Sequence, residues 1–171
     1  IYARVIYGAR ASVAVGILTT LLVVVLGSMI GAIAGFFGGW IDSVLSRITD
    51  IFFAIPLVLA AIVVMQMFKE HRTIITVVLV LGLFGWVSIA RITRGAVVSI
   101  KNEEFVQSAR SIGASSWRIL FSHILPNAAA PIISYATVAL GTYIVAEATL
   151  SFLGIGLPPT FVSWGGGVSD C

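Results

Sequence analysis

Charged residues are scarce in this chain of 171 residues, because Asp, Glu, Lys and Arg together make up only 10% of it. Soluble domains carry about 25% of these residues, which keep their surface in water. An ordinary soluble enzyme is therefore excluded. A hydrophobic content of 59% also excludes disorder, which requires low hydrophobicity. Glycine occurs 17 times without a G-X-Y period, so collagen is excluded as well.

Residues that could form a disulfide, a metal centre or a nucleotide site are equally few. The single cysteine, Cys171, has no second cysteine for an internal disulfide. The two histidines, His71 and His123, lie in different segments. A P-loop requires Gly-x-x-x-x-Gly-Lys followed by Ser or Thr, and neither Lys69 nor Lys101 follows a glycine. We therefore expect no catalytic residue, no metal site and no cofactor in this chain.

Long uncharged runs take up most of the chain. Four of them approach the roughly 20 residues that a helix needs to cross a bilayer core of about 30 Å. Strands of a membrane barrel would instead alternate strictly over about ten residues, which runs such as LLVVVLG do not do. The sequence thus predicts an all-α polytopic membrane protein with spans over residues 12–36, 51–68, 73–91 and 127–150.

The basic residues predict an orientation, since Lys and Arg concentrate in cytoplasmic loops. Six fall on one side of the predicted spans: Arg47, Arg91, Arg94, Lys101, Arg110 and Arg118. Four fall on the other: Arg4, Arg10, Lys69 and Arg72. We therefore expect residues 92–126 in the cytoplasm and the 69–72 turn outside. Basic residues that flank spans are topology signals, so we expect no nucleic-acid partner.

The segment 92–126 is predicted to contain a short amphipathic helix. Asn102 is the expected N-cap, and Glu103 and Glu104 follow in the first turn, where the helix dipole favours anions. Apolar residues then recur at i, i+4 and i+7, which is typical of one helix face. They are Phe105, Ala109 and Ile112.

A glycine and a serine pair follow that helix. Gly113 is expected in the left-handed conformation that ends a helix. Ser115 or Ser116 could cap a second short helix that carries Trp117. The pattern leaves two interpretations open. One is a connector that lies on the lipid surface, and the other is a helix docked in a groove of a soluble partner.

At these residues the chain resembles the cytoplasmic EAA loop of ABC-importer permeases. That pattern is E-A-A, three residues, G, nine residues, then I-x-L-P. Here Gln107-Ser108-Ala109 stands for E-A-A, Gly113 for the glycine and Leu125-Pro126 for the closing pair, while Gln107, Ser108 and His123 depart from the pattern. The fuller string FVQSARSIGASSWRILFSHILPN is similar to the dipeptide, oligopeptide and nickel branch of binding-protein-dependent permeases. The flanking pieces IYGARASVAVG and AEATLSFLGIGLPPTFVSWG agree with its C-type subunit.

The resemblance implies one permease domain over residues 1–171, belonging to a multi-pass inner-membrane (plasma-membrane) protein. Full family members have about six spans, so we expect one further span at each end. Two such permeases form the translocation pathway, which implies a second homologous permease subunit, two ATP-binding subunits and an extracytoplasmic substrate-binding protein as partners. ATP and Mg would be bound by the ATP-binding subunits. The chain itself would be no enzyme.

The same resemblance implies di- or oligopeptides as substrate, with nickel or another small solute as the alternative. A secondary transporter is a further alternative, but it should show coupled intramembrane charges and paired repeats. Carried over residue by residue, the contacts with the ATPase subunits correspond to eight positions. They are Glu104, Phe105, Gln107, Ser108, Ala109, Arg110, Gly113 and Ala114.

Two features lie within the predicted spans. Glycine recurs at every fourth residue at Gly27, Gly31, Gly35 and Gly39, and small residues at this spacing let helices pack closely in a membrane. Glu147 follows a long apolar run, and a carboxylate at that depth should face protein or water. It either lines the translocation path or has a hydrogen-bonded structural role, and we favour the structural role.

Overall fold

The computed structural model describes residues 2–169. Ile1, Asp170 and Cys171 lie outside the described residues, and so does the side chain of Arg4. The described chain is almost entirely helical and contains no β-strand, which confirms the all-α prediction. The helices are α1 (Tyr2–Phe37), α2 (Gly39–Phe53), α3 (Leu57–Met67), α4 (Ile74–Ile100), α5 (Glu104–Ser111), α6 (Ser116–Arg118), α7 (Leu125–Phe152) and α8 (Trp164–Ser169). A 3-10 turn, Lys69–His71, precedes α4, and a π-helical segment, Ile119–Ile124, joins α6 to α7.

Three helices of the described chain are long and apolar enough to cross a membrane. They are found in α1, in α4 and in the continuous helix Ser116–Phe152, and the bent pair α2–α3 would make a fourth crossing. The predicted spans 12–36 and 127–150 each lie within one of these helices, and the span 73–91 does so except for Thr73, which precedes α4. The helix α4 continues past residue 91 to Ile100, so the first part of the predicted segment 92–126 is helical.

The predicted span 51–68 is not one continuous helix. It is divided between α2 and α3, which are bent by 80° at their junction. Pro56 explains the break, because it lacks an N–H group and disfavours the helical conformation of Ile55 before it. Pro56 itself is extended, with φ −60° and ψ 126°, directly ahead of α3.

The chain divides into two compact units, each of which has its own buried core. Unit 1 comprises Ile1–Val23, Ile55–Gly85 and Thr137–Cys171, and unit 2 comprises Val24–Ala54 and Trp86–Ala136. The helices α1, α4 and α7 each contribute to both. The four basic residues predicted outside belong to unit 1, and the six predicted in the cytoplasm belong to unit 2.

In unit 1, residues of α1, α3, α4 and α7 surround the fully buried side chains of Val15, Met65, Leu81 and Leu150. Polar contacts add specificity to this apolar core. The hydroxyl of Tyr143 donates to the carbonyl oxygen of Gly85 over 3.0 Å.

In unit 2, α1 and α4 approach each other along the glycine series. A Cβ atom built on Gly27 would lie 2.6 Å from the carbonyl oxygen of Trp86, and one built on Gly35 would lie 2.9 Å from that of Arg94. Gly31 meets the carbonyl of Ala90 even more closely. Real Cβ atoms do not come this near to backbone, so only glycine allows this helix contact.

Gly39 departs from the predicted packing series. It has φ +58°, and a Cβ atom built on it would meet nothing within 4 Å. Gly38, with φ +62°, precedes it, so the two glycines turn the chain between α1 and α2. Left-handed conformations of this kind favour glycine because it has no Cβ. The predicted role of Gly39 in helix packing is therefore wrong.

Ion pairs fasten α2 to α4 within unit 2. Arg94 donates through Nε and Nη2 to the two carboxylate oxygens of Asp42, over 2.5 and 2.6 Å. Arg91 donates to Asp50 over 2.6 Å. Lys101 Nζ donates to the carbonyl oxygen of Gly35 over 2.8 Å, which ties the end of α4 to α1. This hydrogen bond therefore holds the start of the segment that follows Lys101 in place.

Candidate coupling site

The helix α5 begins one residue later than predicted. Its N-cap is Glu103, with φ −68° and ψ 152°, and no side chain caps the helix. The side-chain amide of Asn102 instead points back to the carbonyl oxygen of Val98 at the end of α4, over 3.4 Å. The predicted cap at Asn102 is therefore wrong. The side-chain amide of Gln107, within α5, donates to the carbonyl oxygen of Asn102 over 3.1 Å and so stabilises the turn that precedes α5.

The buried face of α5 differs from the predicted stripe. Val106 is fully buried and Ala109 is 6% exposed, whereas Phe105 is 42% and Ile112 86% exposed. The buried pair packs in the unit 2 core with residues of the segment that follows, including Ile119 and Leu120. The side chain of Ala109 therefore packs mainly against its own unit, although it also lines a groove on the exposed side of this region. Its predicted contact with the ATPase subunits stays a prediction.

The end of α5 is a Schellman motif around Gly113, which has φ +81° as predicted. The amide of Gly113 donates to the carbonyl of Arg110 over 3.0 Å, and the amide of Ala114 donates to that of Ala109 over 3.1 Å. Ala114 is partly buried against the unit 2 core. The turn is therefore held by two backbone hydrogen bonds and by packing.

The chain after the turn enters α7 without a break. Ser115 caps α6, as predicted, because its hydroxyl oxygen accepts from the amide of Arg118 over 3.4 Å. The predicted second short helix is not separate, since the π-helical segment 119–124 continues it into α7. The amide of Leu125 donates to the carbonyl of Leu120, five residues back. π-helical turns inside α-helices occur often at functional sites.

The outer surface of this region carries an open groove of about 410 Å³. Phe105, Ser108, Ile112, Gly113 and Arg118 are among the residues that line it. Gln107, Arg110 and Ser111, on the same short helix, are exposed as well. Exposed apolar side chains within a polar rim are typical of a protein interaction site. The spacing of these residues in the sequence does not distinguish the exposed side chains of Phe105 and Ile112 from the buried side chain of Ala109.

Glu147, the other predicted functional residue, belongs to unit 1. Its side chain is fully buried in α7, and Oε1 accepts a hydrogen bond of 2.6 Å from the Ser151 hydroxyl one turn later. Oε2 is buried and has no hydrogen-bond partner in the part of the chain that the structure describes. The hydrogen bond to Ser151 favours a structural role, which stays a prediction, and the unpaired Oε2 adds nothing to that role. Within residues 2–169 no three His, Cys, Asp or Glu side chains group as metal ligands would.

The fold is that of a polytopic helical membrane protein with a short surface helix between two long ones. Residues 27–170 match the family of binding-protein-dependent transport system inner membrane components, and the chain belongs to this family. It is a multi-pass protein of the inner membrane, and the family is a transport component rather than an ATPase.

Curated relatives are similar over nearly the whole chain. It is 38% identical over 170 residues to the oligopeptide transport system permease protein OppC of Bacillus subtilis (strain 168), covering 99% of this chain and 55% of that protein. It is 39% identical over 173 residues to the dipeptide transport system permease protein DppC of Alkalihalophilus pseudofirmus, covering 99% and 55%. The glutathione transport system permease protein GsiD of Pectobacterium atrosepticum is 37% identical over 165 residues, covering 96% and 54%. The chain thus spans about half the length of these relatives.

Substitution of Glu147 should distinguish its two interpretations. If its role is structural, Glu147→Gln should retain transport of every peptide, because Gln keeps an acceptor for Ser151. Glu147→Leu should reduce the amount of assembled transporter, since it removes the acceptor that the buried Ser151 hydroxyl uses. Uptake of cationic and neutral peptides, normalised to the amount of complex, measures this. A selective loss of cationic peptides in Glu147→Gln, at an unchanged amount of complex, would show that the carboxylate lines the path.

Proposed function

We propose that this chain is the permease part of an ATP-driven importer, forms half of its translocation pathway, and carries di- or oligopeptides. The observation that carries the proposal is the surface helix α5. Val106 and Ala109, on the buried face of α5, hold the helix against unit 2, and the turn at Gly113 ends it. Phe105 and Ile112 are exposed. An importer whose permease lacks a nucleotide site needs such a rigid contact for its ATPase.

The partners follow from the same arrangement. Two ATP-binding subunits would bind ATP and Mg²⁺ and contact the outward residues of the coupling region, among them Glu104, Phe105, Gln107, Ser108, Arg110 and Gly113. A second homologous permease subunit would complete the pathway, and an extracytoplasmic binding protein would deliver the substrate. Three relatives carry oligopeptide, dipeptide or glutathione transport in their names, which favours peptides over nickel as the substrate.

Movement would pass from the ATPase into the membrane through the continuous connection of α5 to α7. The buried pair Val106 and Ala109 contacts the π-helical segment that leads into α7, so α5 cannot move independently of that segment. Packed cores transmit displacement because they rearrange as rigid bodies rather than deform continuously. Closure of the ATPase would thereby tilt the beginning of α7, which follows the π-helical segment.

Reconstitution tests this proposal directly. The full-length permease should be assembled with its partner subunits in proteoliposomes, with binding protein and a labelled dipeptide outside and ATP inside. We expect accumulation that requires ATP and that disappears when the P-loop lysine of the ATPase subunits is replaced. Accumulation driven by an ion gradient without ATP would contradict the importer and favour a secondary transporter. ATP-dependent uptake of nickel but of no peptide would contradict the peptide substrate.

A further inference from the structure

Arg72 of unit 1 is a cation that has no acidic partner among residues 2–169. It follows the 3-10 turn between α3 and α4, and its Nη1 donates to the carbonyl oxygen of Gly154 over 2.7 Å. Its Nε is buried and has no hydrogen-bond partner among the described residues. A buried donor left unpaired is unfavourable, so a missing partner is the usual explanation.

Arg94 shows what the Nε and Nη2 donors of an arginine bind elsewhere in the same chain. Its Nε and Nη2 hold both carboxylate oxygens of Asp42. This side-by-side pair of donors matches the geometry of a carboxylate. In Arg72, Nη1 donates to Gly154 and so holds the guanidinium in place, while Nε has no acceptor among the described residues.

Arg72 lines a cavity of about 320 Å³ in unit 1, between the start of α4 and the segment after α7. The lining includes Ser163, Gly166 and Pro158, and the described residues that line it include neither Asp nor Glu. Ser163 is 3% exposed, and its hydroxyl oxygen accepts from the amide of Gly166 over 3.1 Å. No described residue accepts the Ser163 hydroxyl proton, so it is a second buried donor. A cavity whose described lining offers donors and no acid suits an anion.

We propose that this cavity binds the terminal carboxylate of a peptide on its way through the transporter. The inference rests on the proposed function and names a contact for its substrate. Peptides share the main-chain carboxylate whatever their side chains, so a site of this kind would accept many sequences. Arg72 lies on the side of the membrane predicted to be outside, where the substrate enters. The cavity is large enough for the carboxylate and the adjoining residue.

A carboxylate from an acidic side chain of the binding protein is the other source of the same chemistry. One peptide in two forms, with a free carboxylate and with a terminal amide, separates the two sources. Both forms should be tested in the assembled full-length transporter in proteoliposomes, alongside binding of the binding protein to the complex. The variants are Arg72→Gln, which removes the charge, and Arg72→Lys, which keeps the charge but loses the planar pair of donors.

The matched control is Lys69→Gln, which removes the same charge from the same turn. Lys69 is exposed and lies outside the cavity lining.

We expect Arg72→Gln to reduce uptake of the free-carboxylate peptide by about tenfold, the effect of losing a charged hydrogen bond. Uptake of the amide should change by less than about twofold, so the preference of the wild-type protein for the free carboxylate should disappear. Arg72→Lys should fall in between, and Lys69→Gln should behave like the wild-type protein.

Equal loss for both peptides together with weaker attachment of the binding protein would overturn the proposal in favour of the binding-protein carboxylate. Equal loss with a reduced amount of complex would overturn the proposal in favour of a structural role of Arg72 through Gly154. No loss in Arg72→Gln would leave the cavity without a role in substrate binding. If the wild-type complex itself shows no ATP-dependent uptake, the proposed function fails, which is distinct from all of these outcomes.

Discussion

Replacing Ile112 by Asp should abolish transport while leaving the permease folded. Ile112 is 86% exposed at the end of α5, and an aspartate there remains hydrated in the free subunit. Within a docked interface the charge would be buried without a partner, which costs about 2 kcal/mol or more and weakens the contact about 30-fold. Substrate-stimulated ATP hydrolysis and uptake should both fall by about that factor. The amount of permease in the membrane should stay at the wild-type level.

Val106→Asp is the matched variant on the opposite face of the same helix. Val106 is fully buried, so a carboxylate there is unsatisfied in the permease itself and should destabilise it by more than about 3 kcal/mol. The amount of folded permease should therefore drop before transport is measured. Quantitative immunoblotting of membranes separates the two effects. Normal uptake and normal stimulated hydrolysis in Ile112→Asp would remove the outward face of α5 from the coupling mechanism.

Gly31→Leu should prevent α1 and α4 from packing in unit 2. A Cβ atom at this position would overlap the carbonyl of Ala90, and a backbone group cannot rotate away as a side chain can. Overpacking typically costs about 1–3 kcal/mol, and a clash with helix backbone belongs at the upper end of that range. The variant should show a lower thermal unfolding midpoint in detergent and a smaller yield of assembled complex.

Gly95→Leu provides the control for that substitution. Gly95 lies in α4, is exposed, and has nothing within 4 Å of a built Cβ atom. Leucine is the better helix former by about 1 kcal/mol, so this variant should unfold at the same temperature or higher. Equal unfolding temperatures for Gly31→Leu and Gly95→Leu would contradict the close helix contact.

Local signals in the sequence predicted the ends of helices better than their faces. Gly113 was predicted to be left-handed because few other residues adopt that conformation, and Ser115 was predicted to be a cap because its hydroxyl can reach the next turn. Which face of α5 is buried depends on residues that return to it later in the chain. Ile119 and Leu120 belong to the same buried cluster as Val106, and spacing within α5 alone gives no sign of them.

The other differences have equally local causes. A spacing of four residues extended the glycine series to Gly39, but spacing does not reveal that the helix has already ended at Phe37. The break in the second apolar run has a local cause in Pro56, which restricts the residue before it, and the uncharged length of the run gives no sign of this break. The ion pairs Asp42–Arg94 and Asp50–Arg91 join residues that are far apart in sequence. The sequence therefore indicates only that these charged residues mark the ends of spans, and it does not predict the pairs.

The π-helical segment 119–124 has a consequence for how sequences of this kind diverge. A π-helical turn holds one residue more than an α-helical turn that spans the same hydrogen-bonded stretch. Deleting one residue there would restore ordinary winding without changing which side chains of α7 face the core beyond it. A deletion elsewhere in α7 would rotate every later side chain by about 100°. We expect a single-residue gap in an alignment with relatives to be tolerated at this segment and to be rare along the rest of α7.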